Sequence, residues 1–182
     1  MRVDLYEKIW MWGVAGMLTL FFAATAWSAV AKGIHPPSHI ETIDPAAALT
    51  DGRFVRQGPW VDREGRLHVT VLGLMYAWMP ARMTLPAGVP ITFHLTSRDV
   101  VHGYQIIRTD GQAMVVPGYV SQFTTTIPKP GEYLIACNEY CGIGHHMMSA
   151  TLTVVPEADF TMPVAGDDPF AAHAASRGGA HD

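Results

Sequence analysis

Residues 137–148 of the chain read CNEYCGIGHHMM, and this stretch decides how the rest of the sequence is interpreted. It holds both cysteines of the protein. Two histidines and two methionines follow Cys141 within seven residues. Thiolate, imidazole and thioether groups are soft ligands, and together they select copper over calcium, magnesium or manganese. The stretch therefore predicts a copper-binding loop, for which the remaining sequence has to supply a scaffold.

A second polar segment lies upstream, where residues 97–103 read SRDVVHG. A fold that brings His102 onto the loop would complete a site of two thiolates, two imidazoles and one thioether. A mononuclear electron-transfer copper needs only one thiolate beside two histidines and a weak axial methionine. The second thiolate therefore indicates a second metal, with both sulfurs bridging. The residues alone do not decide which adjacent histidine and which adjacent methionine face the metal.

Two other interpretations of the cysteines compete with copper. Paired cysteines in an exported domain commonly form a disulfide, and cysteine together with histidine also binds zinc. The histidine and methionine stand at blue-copper spacing, and Gly142 and Gly144 loosen the loop, which favours copper over a disulfide. Methionine is a poor zinc ligand, so the sequence favours copper over zinc as well.

The spacing Cys-x3-Cys-x3-His-x2-Met resembles the binuclear CuA loop of subunit II of haem–copper oxidases. The segment DVVHGY at residues 99–104 resembles the part of that family that carries the first histidine, and the resemblance runs from about Leu67 to Pro156. It implies that Asp99 supports the ligand shell. The ligands that it implies are two bridging thiolates, two imidazoles, a thioether and a backbone carbonyl: Cys137, Cys141, His102, His145, Met148 and the carbonyl of Glu139.

The fold is predicted from short strand-like stretches that follow Leu67 and are separated by turns rich in proline and glycine. Such spacing is typical of an all-β, antiparallel sandwich, and the resemblance implies a cupredoxin-like Greek key. His94 falls on the polar side of an alternating stretch, and we therefore expect it at the surface. The predicted strands cover residues 67–75, 90–96, 122–127, 131–136 and 150–155.

Residues 9–31 carry no charge. As a helix they would measure about 35 Å, which is enough to cross a hydrocarbon core of roughly 30 Å. A cleaved signal peptide, the alternative, has a shorter apolar region of about 7–15 residues. Arg2 and Lys8 precede the helix, which weakly favours a cytoplasmic N-terminus. The sequence thus predicts one transmembrane helix in the inner (cytoplasmic) membrane, with the C-terminal domain on the periplasmic or outer side.

These patterns divide the 182 residues into an anchor (1–32), a connector (33–66), a copper domain (67–156) and a flexible acidic tail (157–182). The tail is expected to be flexible because it lacks hydrophobic periodicity and is rich in alanine, glycine, aspartate and proline. The net charge is −4, without a basic cluster, so nothing in the composition suggests nucleic-acid binding.

The resemblance implies the subunit through which electrons enter a terminal respiratory oxidase. A cytochrome c or a small copper protein would dock on an aromatic loop at residues 76–80, where Tyr76 and Trp78 are expected to be exposed. Electrons would then pass to haem in subunit I, where oxygen is reduced and protons are pumped. The single membrane helix resembles the shorter B-type branch, whereas Glu139 resembles the A-type. The sequence lacks a Cys-x-x-Cys-His motif, so no haem is expected on this chain.

Two alternative functions stay open at this point. The chain could be the CuA subunit of a related nitric oxide reductase, because the catalytic metals of both enzymes lie in the partner subunit. It could also be a membrane-tethered copper carrier or delivery protein that binds one copper reversibly. The second thiolate and the complete ligand set favour a buried redox centre over a carrier.

Overall fold

The structure, a computed structural model, describes residues 4–32 and 41–171 and divides into two compact units. The first unit contains helix α1, Leu5–Lys32. Its residues Leu5–Ser28 have a mean hydropathy of 1.6, so the helix is long and apolar enough to cross a membrane. The hydroxyls of Thr19 and Thr25 donate to carbonyls four residues earlier, at 2.8 Å each, which satisfies them without water.

The second unit is a β-sandwich of two five-stranded sheets, which confirms the all-β prediction. One sheet contains β1 (Gly58–Val61), β2 (Leu67–Leu74), β3 (Ala77–Met79), β5 (Pro90–Ser97) and β8 (Ser121–Thr126). The other contains β4 (Arg82–Pro86), β6 (His102–Ile106), β7 (Gln112–Val115), β9 (Gly131–Cys137) and β10 (Ser149–Val155).

The order of the strands places the two polar segments at one end of the sandwich. The first sheet runs β1-β2-β5-β8 with β3 also on β2, and the second runs β4-β10-β9-β6-β7. Strands β6 and β9 are antiparallel neighbours, with Tyr104 opposite Cys137. Strand β6 begins at His102 and the antiparallel strand β9 ends at Cys137, so both residues lie at the same end of the two strands. The parallel pair β4–β10 ties residues 82–86 to residues 151–155.

The core between the sheets consists of alternate residues from the facing strands. Strand β5 contributes Ile91, Phe93 and Leu95, and Ile135 and Leu152 face them from the second sheet; all five are fully buried. Burying one such side chain contributes roughly 1.5–3 kcal/mol. The resulting close-packed interior gives the loops at its edge a stiff support.

The outer face of the first sheet is also covered, and this overturns one prediction. His94 was expected at the surface, but it is 4% exposed. A second apolar cluster that includes Ile43, Phe54 and Phe170 lies over this face, and the Phe170 ring stacks on His94 with 4.1 Å between centroids. The alternating pattern of the strand indicated that only one of its faces is buried. It could not indicate that the other face is covered as well, because the covering residues are distant in sequence.

The segment 157–171, the first part of the predicted flexible tail, contacts the sandwich at several points, although most of its residues are exposed. The amide of Gly166 donates to the carbonyl of Val61 at 2.9 Å, and Asp167 pairs with Arg63. Burial of the Phe170 ring secures the end of the segment. Residues 172–182 of the predicted tail lie outside the described residues, as do residues 33–40 of the predicted connector.

Most of the remaining connector belongs to the sandwich. Strand β1 lies within residues 58–61 and pairs with β2. Before it, the buried guanidinium of Arg53 binds Glu41 at 2.7 Å and both oxygens of Asp51 at 2.9 and 2.7 Å. A buried arginine is stable only when its charge is paired in this way. The three side chains therefore tie the two ends of residues 41–53 to each other.

Candidate metal centre

The candidate centre is built by the end of β9, the start of β6 and the loop that joins β9 to β10. The first residue of the loop after β9 is held against β6, where the amide of Asn138 donates to the carbonyl of Gly103 at 2.9 Å. It then turns at Gly142, whose φ of +127° is readily adopted only by glycine. A short 3-10 helix, His145–Met147, follows and leads into β10. This path folds the loop back over the two cysteines.

The two cysteines face each other as separate thiols. Their sulfurs are 3.8 Å apart, well beyond the roughly 2.05 Å of a disulfide bond. The sulfur of Cys137 also lies 3.2 Å from the carbonyl oxygen of Glu139, and that of Cys141 lies 3.6 Å from the sulfur of Met148. Both thiols and the thioether are buried. The pair therefore presents two sulfurs to one enclosed space.

Each thiol has one imidazole beside it. Nδ1 of His102 lies 3.9 Å from the sulfur of Cys137, and Nδ1 of His145 lies 3.7 Å from that of Cys141. The neighbouring His146 is exposed, and Met147 is 69% exposed. The structure thus turns His145 and Met148, rather than His146 and Met147, toward the thiols.

The ring of His102 is oriented by Asp99. Nε2 of His102 donates to Oδ1 of Asp99 at 2.9 Å, so Nδ1 is left with its lone pair toward Cys137. Burial by itself would raise the pKa of Asp99, but hydrogen bonds from His102 and from the amides of Val100 and Met75 outweigh it and lower the pKa. The carboxylate therefore stays ionised as a hydrogen-bond acceptor, and it fixes the ring orientation in which Nδ1 is available to a metal.

The chemistry of this donor set fits copper. Burial, and then the neighbouring sulfur of Cys137, raise the pKa of the Cys141 thiol. Such thiols lose their protons when a metal ion compensates the thiolate charge. Two thiolates, two imidazoles and a thioether are the soft ligands that copper prefers, whereas a structural zinc site has no use for the thioether. Among the described residues, His102, Cys137 and Cys141 also form a group able to hold a metal ion.

The aromatic loop differs from the prediction. Trp78 was expected to be exposed, but it is 1% exposed because it lies on β3, which pairs with β2 and turns the ring inward. Its ring packs edge-on against His102 at 5.6 Å and against Tyr104 at 5.0 Å between centroids. Tyr76 is partly exposed and lies against the loop: a Cβ at Gly142 would come within 2.6 Å of its hydroxyl.

The exposed side chains around the loop were not singled out from the sequence. Tyr140, Ile143 and Met147 project into solvent, and Ile143 is 88% exposed. The one feature of the sequence that could have predicted their exposure is that these large apolar residues stand between ligands in a short loop. Such a loop cannot bury all of its large side chains. Together with Tyr76 they form an apolar surface over the centre, which we call the loop patch.

Comparison with known proteins gives the chain its family. Residues 65–155 match the family described as cytochrome c oxidase subunit II, periplasmic domain. A cytochrome c oxidase subunit 2 of Thermus thermophilus is 36% identical over 153 residues, which cover 82% of this chain and 91% of that relative. The chain belongs to the cytochrome c oxidase subunit II family.

Two further relatives agree with this assignment. A second cytochrome c oxidase subunit 2 of Thermus thermophilus is 37% identical over 124 residues, covering 67% of this chain and 92% of the relative. A chain in the cryo-EM structure of a haem–copper terminal oxidase dimer is 26% identical, with a TM-score of 0.58 over 82% of this chain and 99% of that one. The sandwich is thus the cupredoxin-like fold that the sequence predicted.

Membership of the subunit II family decides the broad function. The chain is part of an oxidoreductase complex, with a CuA-like cluster of histidine, cysteine and methionine, and neither a nitric oxide reductase subunit nor a copper carrier is favoured. As a subunit II, the chain has an oxidase complex as its setting. With its apolar N-terminal helix, the chain is a membrane-anchored subunit.

Proposed function

We propose that the chain holds a binuclear CuA centre and passes electrons from a soluble donor to the haem of subunit I, where oxygen is reduced and protons are pumped. The observation that carries this proposal is the pair of unbonded thiols, 3.8 Å apart, each with one imidazole nitrogen beside it. A single copper would leave one thiolate without a role. The proposed ligands are Cys137, Cys141, His102, His145, Met148 and the carbonyl of Glu139.

The protein residues bind and orient the ligands and exclude water. When bound, the two copper ions would take up and release one electron that they share. The thiolates of Cys137 and Cys141 would hold the copper, and their burial beneath the loop keeps solvent away. The carboxylate of Asp99 accepts the Nε2–H of His102 and would hold the ring with Nδ1 directed at the thiols. Because these groups are held by a close-packed sandwich, little rearrangement would accompany each electron transfer.

We further propose that the electron donor docks on the loop patch formed by Tyr76, Tyr140, Ile143 and Met147. These side chains surround the centre and are uncharged. Trp78 lies one layer below, in edge-on contact with His102, so a role in electron entry would be indirect. An apolar patch favours a donor with an apolar docking face, and screening by salt should weaken such docking only modestly.

The proposed placement in the cell follows from α1. Residues 1–32 would form a single-pass anchor in the cytoplasmic membrane, with the sandwich on the periplasmic or outer side. Within the sandwich, residues 67–156 would carry the copper centre. Ile43, Ala48, Phe54 and Phe170, from the segments on either side, would cover the outer face of the first sheet. The single helix favours the B-type branch of the family.

Metal analysis and electron paramagnetic resonance of the purified chain test the binuclear centre. We expect two copper ions per chain and an unpaired electron that couples to both nuclei. His145→Ala should abolish that spectrum, whereas His146→Ala should preserve it, because His146 is exposed and it is His145 that lies beside the thiol of Cys141. One copper per chain, or a spectrum of a single localised copper, would contradict the proposal.

Electron-transfer kinetics test the docking surface. Ile143→Asp should slow the transfer from the native donor several-fold and leave the copper spectrum intact, since Ile143 is exposed and is not a ligand. Val164→Asp is the matched control, because Val164 is 94% exposed but lies on the segment that covers the first sheet. A steep decline of the wild-type rate with salt, or equal rates for both variants, would show that docking occurs elsewhere.

A further inference from the structure

Gly73 lies at the inner face of β2, where the copper ligand His102 and the Trp78 ring meet. A Cβ added at this position would lie 3.1 Å from Cδ2 of His102, 3.1 Å from Cζ3 of Trp78 and 3.6 Å from the carbonyl oxygen of Thr96. The first two distances are shorter than ordinary van der Waals contact. The space beside Gly73 is therefore filled on three sides by the residues around it.

The backbone does not explain why glycine stands at this position. Gly73 is outside the left-handed region that favours glycine, and it lies within a regular strand, opposite Trp78 on one side and Ser97 on the other. Glycine in the interior of a strand weakens it, and often marks a place where another group approaches closely. Here the approaching group is the imidazole of His102.

We propose that Gly73 is a positioning residue for the metal centre: its missing side chain provides the space in which the His102 ring directs Nδ1 at Cys137. This inference concerns the same centre as the proposed function, and rests on it where copper is concerned. His102 is held by Asp99 at Nε2 and by the edge of Trp78, and is fully buried. At Gly73, the absence of a side chain leaves the space beside the ring that Cδ2 of His102 occupies.

An added methyl group would displace His102 more readily than its other neighbours. The carbonyl of Thr96 belongs to strand β5, whose backbone is held in place by its pairing with β2. Trp78 is confined by Tyr104, at 5.0 Å between ring centroids. Asp99, by contrast, holds His102 only at Nε2, so the ring can still tilt about that hydrogen bond. A tilt that moves the ring by a few tenths of an ångström would change the direction of Nδ1 relative to both thiols.

The experiment compares Gly73→Ala with Gly111→Ala in the full-length chain. A Cβ at Gly111 would meet Ile106, Phe123 and Thr125 at 3.2 Å, so this control adds the same crowding to the core without touching a proposed ligand. Both variants should lose stability. Only Gly73→Ala should change the resonance of the His102 Cδ2–H group in the copper-free chain, measured with ¹³C-labelled histidine. That readout does not depend on copper, so it tests the geometry even if the proposed centre fails.

In the copper-loaded chain, Gly73→Ala should retain its copper but shift the hyperfine pattern and the reduction potential. A wild-type spectrum and an unmoved His102 resonance in Gly73→Ala would overturn the proposal, as would equal shifts in Gly111→Ala. Trp78→Phe in the Gly73→Ala background removes Cζ3 of Trp78, one of the two atoms that crowd the methyl group. It should restore the His102 resonance toward its wild-type position, and it provides a second test if Gly73→Ala alone folds poorly. Failure of this rescue would also count against the proposal.

Discussion

Acidification should destabilise the sandwich through a buried histidine that lies far from the metal loop in sequence. Nε2 of His94 lies 3.0 Å from Nδ1 of His68, whose Nε2 lies 3.1 Å from Oδ2 of Asp62. The Phe170 ring covers His94, and Nδ1 of His94 is buried without a hydrogen-bond partner among the described residues. Burial, and then the charge of His68, lower the pKa of His94 from 6.5 to about 3.

The sign of the effect follows from this depressed pKa. Below pH 6.5 the unfolded chain binds a proton at His94 that the folded chain does not accept. Stability from this group is therefore complete above about pH 6.5 and declines as the pH falls toward 3. At pH 5 the loss is about 2 kcal/mol. Asp62 contributes almost nothing to the loss at pH 5: hydrogen bonds from Arg66 and His68 outweigh its burial and lower its pKa in the fold, and its carboxyl in the unfolded chain is still ionised at that pH.

Urea unfolding of the copper-free chain at pH 7 and pH 5, followed by near-ultraviolet circular dichroism, measures the loss. The comparison protein is His94→Phe, which keeps an aromatic ring under Phe170 but cannot titrate. Its free energy of unfolding should change less between the two pH values than that of the wild type, by about 2 kcal/mol. Since the proposed copper ligands are the same in both proteins, their own titration cancels. Equal pH dependence in the two proteins would refute the reasoning.

Three further predictions concern single side chains. Met148→Leu should keep copper but shift the reduction potential, because an axial thioether affects the potential of the metal more than its binding. Met147→Leu should match the wild type. If potentiometry gave the reverse, Met147 would be the ligand. Asp99→Asn should weaken copper binding about 10–100-fold in a metal titration, and an unchanged affinity would contradict its role in orienting the imidazole. Arg53→Met should lower the free energy of unfolding by about 3 kcal/mol in chemical denaturation, since it leaves the partly buried carboxylates of Glu41 and Asp51 without a counter-charge. A loss below about 1 kcal/mol would show that water solvates these carboxylates.

The part of the site that could be predicted from the sequence is the part that is local. Cys137, Cys141, His145 and Met148 lie in one loop, so their spacing carries the information about which atoms can meet. His102 is distant in sequence, and only the resemblance to a known family brought it to the cysteines. Its contact with Cys137 depends on the antiparallel pairing of β6 and β9, which no pattern within β6 specifies.

The errors at His94 and Trp78 have a common physical cause. Both side chains are buried by residues that come from other parts of the chain, and hydrophobic periodicity reports only the character of the strand itself. His94 is covered by Phe170, which follows it by more than half of the sandwich sequence. Trp78 was expected in an exposed loop, but the pairing of β3 with β2 turns it toward Tyr104. Coverage by distant segments is therefore what the sequence could not reveal.

The parallel pairing of β4 with β10 bears on when the site can form during synthesis. The proposed ligands end at Met148, yet the loop that carries them is closed only when residues 149–155 align with both β9 and β4. Contacts between segments so far apart in the chain form late, because the intervening polypeptide must first be ordered. A nascent chain that stops at Met148 would contain every ligand and still lack the centre. Metal insertion thus has to follow the synthesis and pairing of β10, which makes loading a late step of assembly.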